Sequence, residues 1–153
     1  MTDKWNQRYI NLAKEVATWS KDPSRKIGAV AVSAKGQVLA TGYNGFPRGM
    51  LDTADRYADR PTKYKYIVHA EMNCIYNATY NGVSLDGATM YVWGLPVCSE
   101  CAKGIIQVGI TKVYWATSEE IPPQWLESLT LTCEMFREAK IEFNCLQVNS
   151  EEL

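Results

Sequence analysis

A chain of 153 residues with 46% hydrophobic and 22% charged side chains has the make-up of an ordinary globular domain, large enough to bury a core without disulfides. Its formal net charge of −1 offers a polynucleotide no broad basic surface, no apolar run approaches the roughly 18 residues of a membrane span, and the first residues lack the basic-then-apolar pattern of a secretory leader. Five cysteines, an odd number, do not read as a secreted disulfide framework, so the expectation is a soluble, cytoplasmic protein with no nucleic-acid and no membrane partner.

Trp5, Tyr9, Leu12, Val16 and Trp19 recur at steps of four, three, four and three, which predicts an amphipathic helix ending near Ser20-Lys21-Asp22-Pro23. Ile27 to Val32 is a short run rich in β-branched residues, and beyond a turn at Lys35-Gly36 the segment Val38 to Gly42 reads as its antiparallel partner. Asn44 to Tyr66 is long, polar and interrupted by Pro47 and Pro61, a loop of the kind that is functional or mobile. Val68 to Thr79 has helical periodicity and stops at Asn81-Gly82. Thr89 to Trp93 is a strand, Cys98 to Val108 a helix closed by Gly109, and Lys112 to Ala116 another strand. Pro122-Pro123 opens a helix with Trp125, Leu129, Cys133 and Phe136 on one face, and Ile141 to Leu146 reads as a last strand. Such alternation predicts an α/β fold with a central mixed sheet and helices on its faces. One domain is expected over residues 1–148, with a polar tail at 149–153.

Two short motifs carry the chemistry. His69, the only histidine, stands in His69-Ala70-Glu71, and Cys98-Ser99-Glu100-Cys101 follows 29 residues later. One imidazole and two thiols make the three-ligand set of a catalytic zinc, which leaves a fourth position to water. Cys98 and Cys101 lie on one side of a first helical turn, where the helix dipole favours the thiolates a metal needs. Glu71 is placed as a proton shuttle rather than a ligand, and a His-x-Glu joined to a Cys-x-x-Cys is the signature of zinc-dependent base deaminases. The backbone at Ala70 can offer an N–H to a base carbonyl. Two other readings stand beside this one. A closed structural zinc site would need a fourth ligand from Cys74, Cys133, Cys145 or a carboxylate, and a redox role would use Cys98 and Cys101 alone. Cys74, Cys133 and Cys145 otherwise read as core residues.

Ser20-Lys21-Asp22-Pro23-Ser24-Arg25-Lys26-Ile27-Gly28-Ala29-Val30, Gly42-Tyr43-Asn44-Gly45-Phe46-Pro47-Arg48-Gly49 and His69-Ala70-Glu71-Met72-Asn73 together resemble the deoxycytidylate (dCMP) deaminases of the zinc-dependent cytidine/deoxycytidylate deaminase superfamily. Tyr91-Val92 and Cys98-Ser99-Glu100-Cys101-Ala102-Lys103 continue the likeness, which runs from Trp5 to Trp115. The resemblance implies a three-layer sandwich with a mixed five-stranded sheet and helices on both faces, one catalytic Zn²⁺ per chain, and conversion of dCMP to dUMP, the precursor of thymidylate. It implies that Asn44 meets the sugar 3′-hydroxyl. Ser24, Arg25 and Lys26, and similarly Arg48, are either phosphate contacts or solvated surface charge. Members are often hexamers activated by dCTP and inhibited by dTTP with Mg²⁺, which makes Tyr43, Asn44 and Gly45 candidates for an effector site and a homo-oligomer the expected state. Members usually place proline directly before the first cysteine, whereas here Val97 separates Pro96 from Cys98. Rival readings are deamination of dCTP, cytidine or adenosine in tRNA, and a catalytically inactive, zinc-stabilised nucleotide sensor.

Overall fold

In the computed structural model, which describes residues 3–148, α1 (Asp3–Ala17) buries Tyr9, Ile10, Ala13, Val16 and Ala17 along one face. The expected polar tail at 149–153 lies outside the described residues. Trp5 and Trp19 do not share the buried face; they are 43% and 54% exposed, Trp5 in the first turn with the Arg8 guanidinium over its ring and Trp19 beyond the helix end at Ala17, where it meets Tyr43 edge-on. A hairpin follows, β1 (Gly28–Val32) and β2 (Val38–Tyr43). Then come α2 (Ala54–Ala58), α3 (Arg60–Tyr66), α4 (Ala70–Tyr80), β3 (Thr89–Trp93), α5 (Ser99–Gln107) and β4 (Lys112–Ala116). A 3-10 turn over Pro123–Trp125 leads into α6 (Leu126–Glu138), and β5 (Glu142–Cys145) is the last element of the described residues.

The five strands form one sheet in the order β2-β1-β3-β4-β5. β1 is antiparallel to both its neighbours, while β3, β4 and β5 run parallel and are joined through α5 and α6. Side chains alternate across a strand, so each buried strand feeds two cores. Val30, Val32, Tyr91, Trp93 and Ala116 pack against α1 on one face. Ala29, Ala31, Met90, Val92, Val113 and Trp115 pack against α4, α5 and α6 on the other. This is the expected three-layer sandwich with helices on both faces of a mixed five-stranded sheet. No helix among the described residues is long and apolar enough to cross a membrane.

Two glycines set how closely the layers approach. A Cβ on Gly28 would collide with the backbone of Ala13 and Ala17 in α1, and one on Gly42 with Ala70, Asn73 and Cys74 in α4. Gly42 thereby lets the first turn of α4 lie directly on β2.

The segment expected to be one long loop, Asn44 to Tyr66, instead holds the two short helices α2 and α3. Each is under two full turns, too short to show periodicity in sequence. Tertiary contacts hold them. Phe46 stacks on Tyr57 at 4.4 Å and meets Tyr66 edge-on at 6.0 Å, and a bridge pairs Gly45 with Val68. The cysteines also divide by position. Cys74 is buried and Cys133 half-buried, but Cys145, expected in the core, is exposed because β5 is an edge strand.

Candidate active site

The start of β1 lies beside the ends of both β2 and β3, since Gly28 is in register with Tyr43 on one side and Trp93 on the other. Two helix starts meet at this end of the sheet. His69 is the N-cap of α4 and Cys98 the N-cap of α5, both with extended backbone (φ −67° and −76°). Nδ1 of His69 lies 3.4 Å from Sγ of Cys98 and 3.4 Å from Sγ of Cys101. All three donor atoms fall within 4.8 Å of one another. Around a tetrahedral zinc, Zn–S bonds of about 2.3 Å and Zn–N bonds of about 2.0–2.1 Å put sulfur and nitrogen about 3.5 Å apart. The triad therefore fits the ion in donor type and in spacing. No other group of three histidine, cysteine or acidic side chains among the described residues could hold a metal.

The local electrostatics favour metal binding. Hydrogen bonding from the Cys101 thiol, the His69 ring and the Cys101 backbone N–H lowers the Cys98 pKa to about 4 against the opposing effect of burial. The two sulfurs titrate as a pair, so Cys101 is pushed upward by its bond to Cys98 and by burial. The bond to Cys98 likewise raises His69. Glu71 is 5% exposed, and burial raises its carboxyl from an ordinary 4.5 to about 7, with His69 opposing and Cys98 adding to the rise. A carboxyl near neutrality both accepts and returns a proton with little loss.

α6 steadies the cysteine helix. The Ser99 backbone N–H donates to Ser128 Oγ at 2.8 Å, and Thr132 Oγ1 donates to the carbonyl of Val97 at 2.9 Å. Val97, the residue that separates Pro96 from Cys98, is 1% exposed and joins the core, while Leu95 and Pro96 stay in the site wall.

His69, Ala70, Glu71 and Cys98 line a cleft of about 400 Å³, within the range of about 300–1,000 Å³ common for small-molecule sites. Ser24, Arg25 and Asn44, all singled out in the sequence, line it too. Lys26 does not: its ammonium turns back onto the carbonyl of Ser20. Asn44 is 6% exposed and stitches the cleft wall together. Its Oδ1 accepts from Ile27 N at 2.9 Å, and its Nδ2 donates to Arg25 O at 2.9 Å. Tyr43, Asn44 and Gly45, expected together at an effector site, are separated: β2 ends at Tyr43, and Asn44 beyond it turns into the first cleft. Tyr43 faces a second cleft with Arg48, Asn77 and Tyr80, whereas Gly45 lines neither cleft.

Sequence reading missed Asp22, Arg60, Lys63 and Tyr64, and also Gln124 and Trp125 of the 3-10 turn, all of which line the first cleft. Asp22 and Lys63 form an ion pair of 2.8 Å with side chains 3% and 11% exposed. The Asp-Pro of the Ser20–Pro23 stretch was the only local hint, and its partner lies 41 residues away.

Two thiols and an imidazole at a pair of helix starts, with a buried glutamate on the same cleft, are the arrangement of the zinc-dependent base deaminases. The chain belongs to the family described as the cytidine and deoxycytidylate deaminase zinc-binding region, whose model matches residues 3–117. It is 37% identical over 150 residues to an uncharacterized deaminase in the luxG 3′ region of Aliivibrio fischeri, covering 97% of this chain and 98% of that one. It is 39% identical over 123 residues to the deoxycytidylate deaminase of Mus musculus, covering 76% of this chain and spanning 66% of the mouse protein. Its fold matches the dCMP deaminase of cyanophage S-TIM5, solved in complex with dCMP and dUMP, with a TM-score of 0.76, 24% identity and coverage of 95% and 99%.

Proposed function

We propose that this chain hydrolyses dCMP to dUMP and ammonia, with Glu71 as the proton-carrying residue and His69, Cys98 and Cys101 as ligands of one zinc ion. The observation that carries the reading is geometric: the buried Glu71 lines the same cleft as His69 and Cys98, two of the three donors that Cys101 completes into a metal triad. A zinc ion held there supplies Lewis acidity that brings the pKa of a coordinated water to about 7. Glu71 takes one proton as water attacks C4 of the base and delivers it to N3; it then takes the remaining proton of the C4 hydroxyl and passes it to the amine as the C4–N bond breaks, leaving the 4-oxo base and ammonia. The backbone N–H of Ala70, in the unpaired first turn of α4, holds the base carbonyl. Asn44 Oδ1 accepts one bond from Ile27 and keeps a second lone pair for the sugar 3′-hydroxyl. Ser24 and Arg25 stand at the phosphate end.

The absorbance fall on mixing zinc-loaded protein with dCMP, run beside dCTP and deoxycytidine, tests this reaction. Faster turnover of dCMP supports it, and turnover of none of the three overturns it. Glu71→Ala separates an enzyme from a nucleotide sensor: turnover should fall by about 10²–10⁴-fold while zinc stays bound.

The rest of the reading is a single domain over residues 1–148 in the cytoplasm, assembled as a homo-oligomer, a hexamer by resemblance, which light scattering measures. Activation by dCTP and inhibition by dTTP with Mg²⁺ would act near Tyr43, Asn44 and Gly45. Tyr43 is the most accessible candidate, 40% exposed against 6% for Asn44, and the second cleft beside it also contains Arg48. Loss of the dCTP response in Tyr43→Ala supports that regulation, and a wild type indifferent to both triphosphates removes it.

A further inference from the structure

Three cations line the catalytic cleft: Arg25, Arg60 and Lys63. Lys63 is already committed, with Nζ 2.8 and 2.9 Å from the two carboxylate oxygens of the buried Asp22. Drawing it away would leave a carboxylate charge buried and unpaired. Arg25 is held 3.3 Å from Glu119, whose side chain is 70% exposed and therefore easily exchanged. Arg60 is exposed, and among the described residues it is the one cation of the cleft with neither an ion pair nor a hydrogen-bond partner.

Its placement is fixed by its neighbours. Arg60 begins α3 and Lys63 follows three residues later, so the two share a helix face. The Lys63–Asp22 pair ties that face to the opposite wall. There Asp22 also accepts from Ser24 N at 2.9 Å and from Asn44 Nδ2 at 3.4 Å. One buried carboxylate thus joins α3, the Ser24–Arg25 segment and Asn44 in a single frame.

We infer that Arg60 is the specificity-determining residue for the 5′-phosphate, with Lys63 holding α3 in position and Arg25 exchanging the Glu119 carboxylate for a phosphate oxygen. The inference rests on the reading of the cleft as a nucleotide site. A guanidinium fork matches the geometry of a phosphate monoester and binds it through charge-assisted hydrogen bonds, from which a nucleoside gains nothing. The cleft therefore reads the phosphate chiefly through Arg60, on a helix within the Asn44–Tyr66 excursion, with Arg25 as a second contact and Lys26, turned onto Ser20, taking no part.

The test is calorimetric titration of the zinc-loaded full chain with dUMP and with deoxyuridine, for wild type, Arg60→Ala and Arg60→Lys. Arg60→Ala is expected to weaken dUMP binding by about 10–100-fold, to leave deoxyuridine binding unchanged and to raise KM for dCMP, and Arg60→Lys to recover part of the loss. The deoxyuridine arm also reports that the variant is folded. Unchanged dUMP affinity in Arg60→Ala, or equal loss for both ligands, overturns the assignment. A wild type that binds dUMP through Arg60 but deaminates no dCMP overturns the reaction and leaves the phosphate assignment standing.

Discussion

Burial places the Glu71 carboxyl near neutrality, and this has a thermodynamic consequence separate from catalysis. Between the ordinary 4.5 and about 7, the folded metal-free protein holds a proton at Glu71 that the unfolded chain has released. The group therefore costs the fold little below pH 4.5 and progressively more as pH rises to 7, up to about 3 kcal/mol. In chelator-treated protein, Glu71→Gln should gain stability over wild type across that interval, as read from urea midpoints. A difference that does not vary with pH would contradict the burial argument. At this scale, legibility followed sequence distance. His69 and Glu71, and likewise Cys98 and Cys101, declare themselves because each pair sits within a few residues at one helix start, so its spacing is visible in sequence. Asp22 and Lys63 have no such local spacing, and folding alone pairs them. Lys26 looked equivalent to Arg25 in sequence, but its ammonium reaches Ser20 instead.

Among the elements, α4 and its cap carry Glu71 and His69, so the distance of this helix from β2 sets where those two side chains sit. Gly42→Ala would force backbone against backbone, with no flexible side chain to give way. The expected cost is about 1–3 kcal/mol of stability with a loss of zinc affinity, measured by denaturation and by competition with a chromogenic chelator. Unaltered zinc binding would mean that the first turn of α4 is positioned by something other than this contact. The larger elements were readable from periodicity and from their stop signals at Gly82 and Gly109. α2 and α3 were not, because five and seven residues of polar sequence leave no periodic stripe. Their order comes from the Phe46–Tyr57–Tyr66 cluster and the Asp22–Lys63 pair, which no local pattern announces.

For the whole molecule, the alternation of strands and helices was enough to give the three layers, because each buried strand must cover both faces. The strand order was beyond composition and periodicity, since β1 sits between β2 and β3 through long-range register. The zinc triad spans α4 and α5, two helices on the same face of the sheet. A metal bound only by the folded state stabilises it by mass action, about 2.7 kcal/mol at a free concentration 100 times Kd. The melting temperature should therefore rise with free zinc and fall on chelation. A melting temperature insensitive to zinc would show that the triad holds no ion in solution.

With a single imidazole in the chain, facing both sulfurs through Nδ1, ring-nitrogen magnetic resonance of histidine-labelled protein would hold one Nδ1 and one Nε2 signal. Those two signals would report the tautomer of His69, its coordination and the occupancy of the site without any assignment experiment.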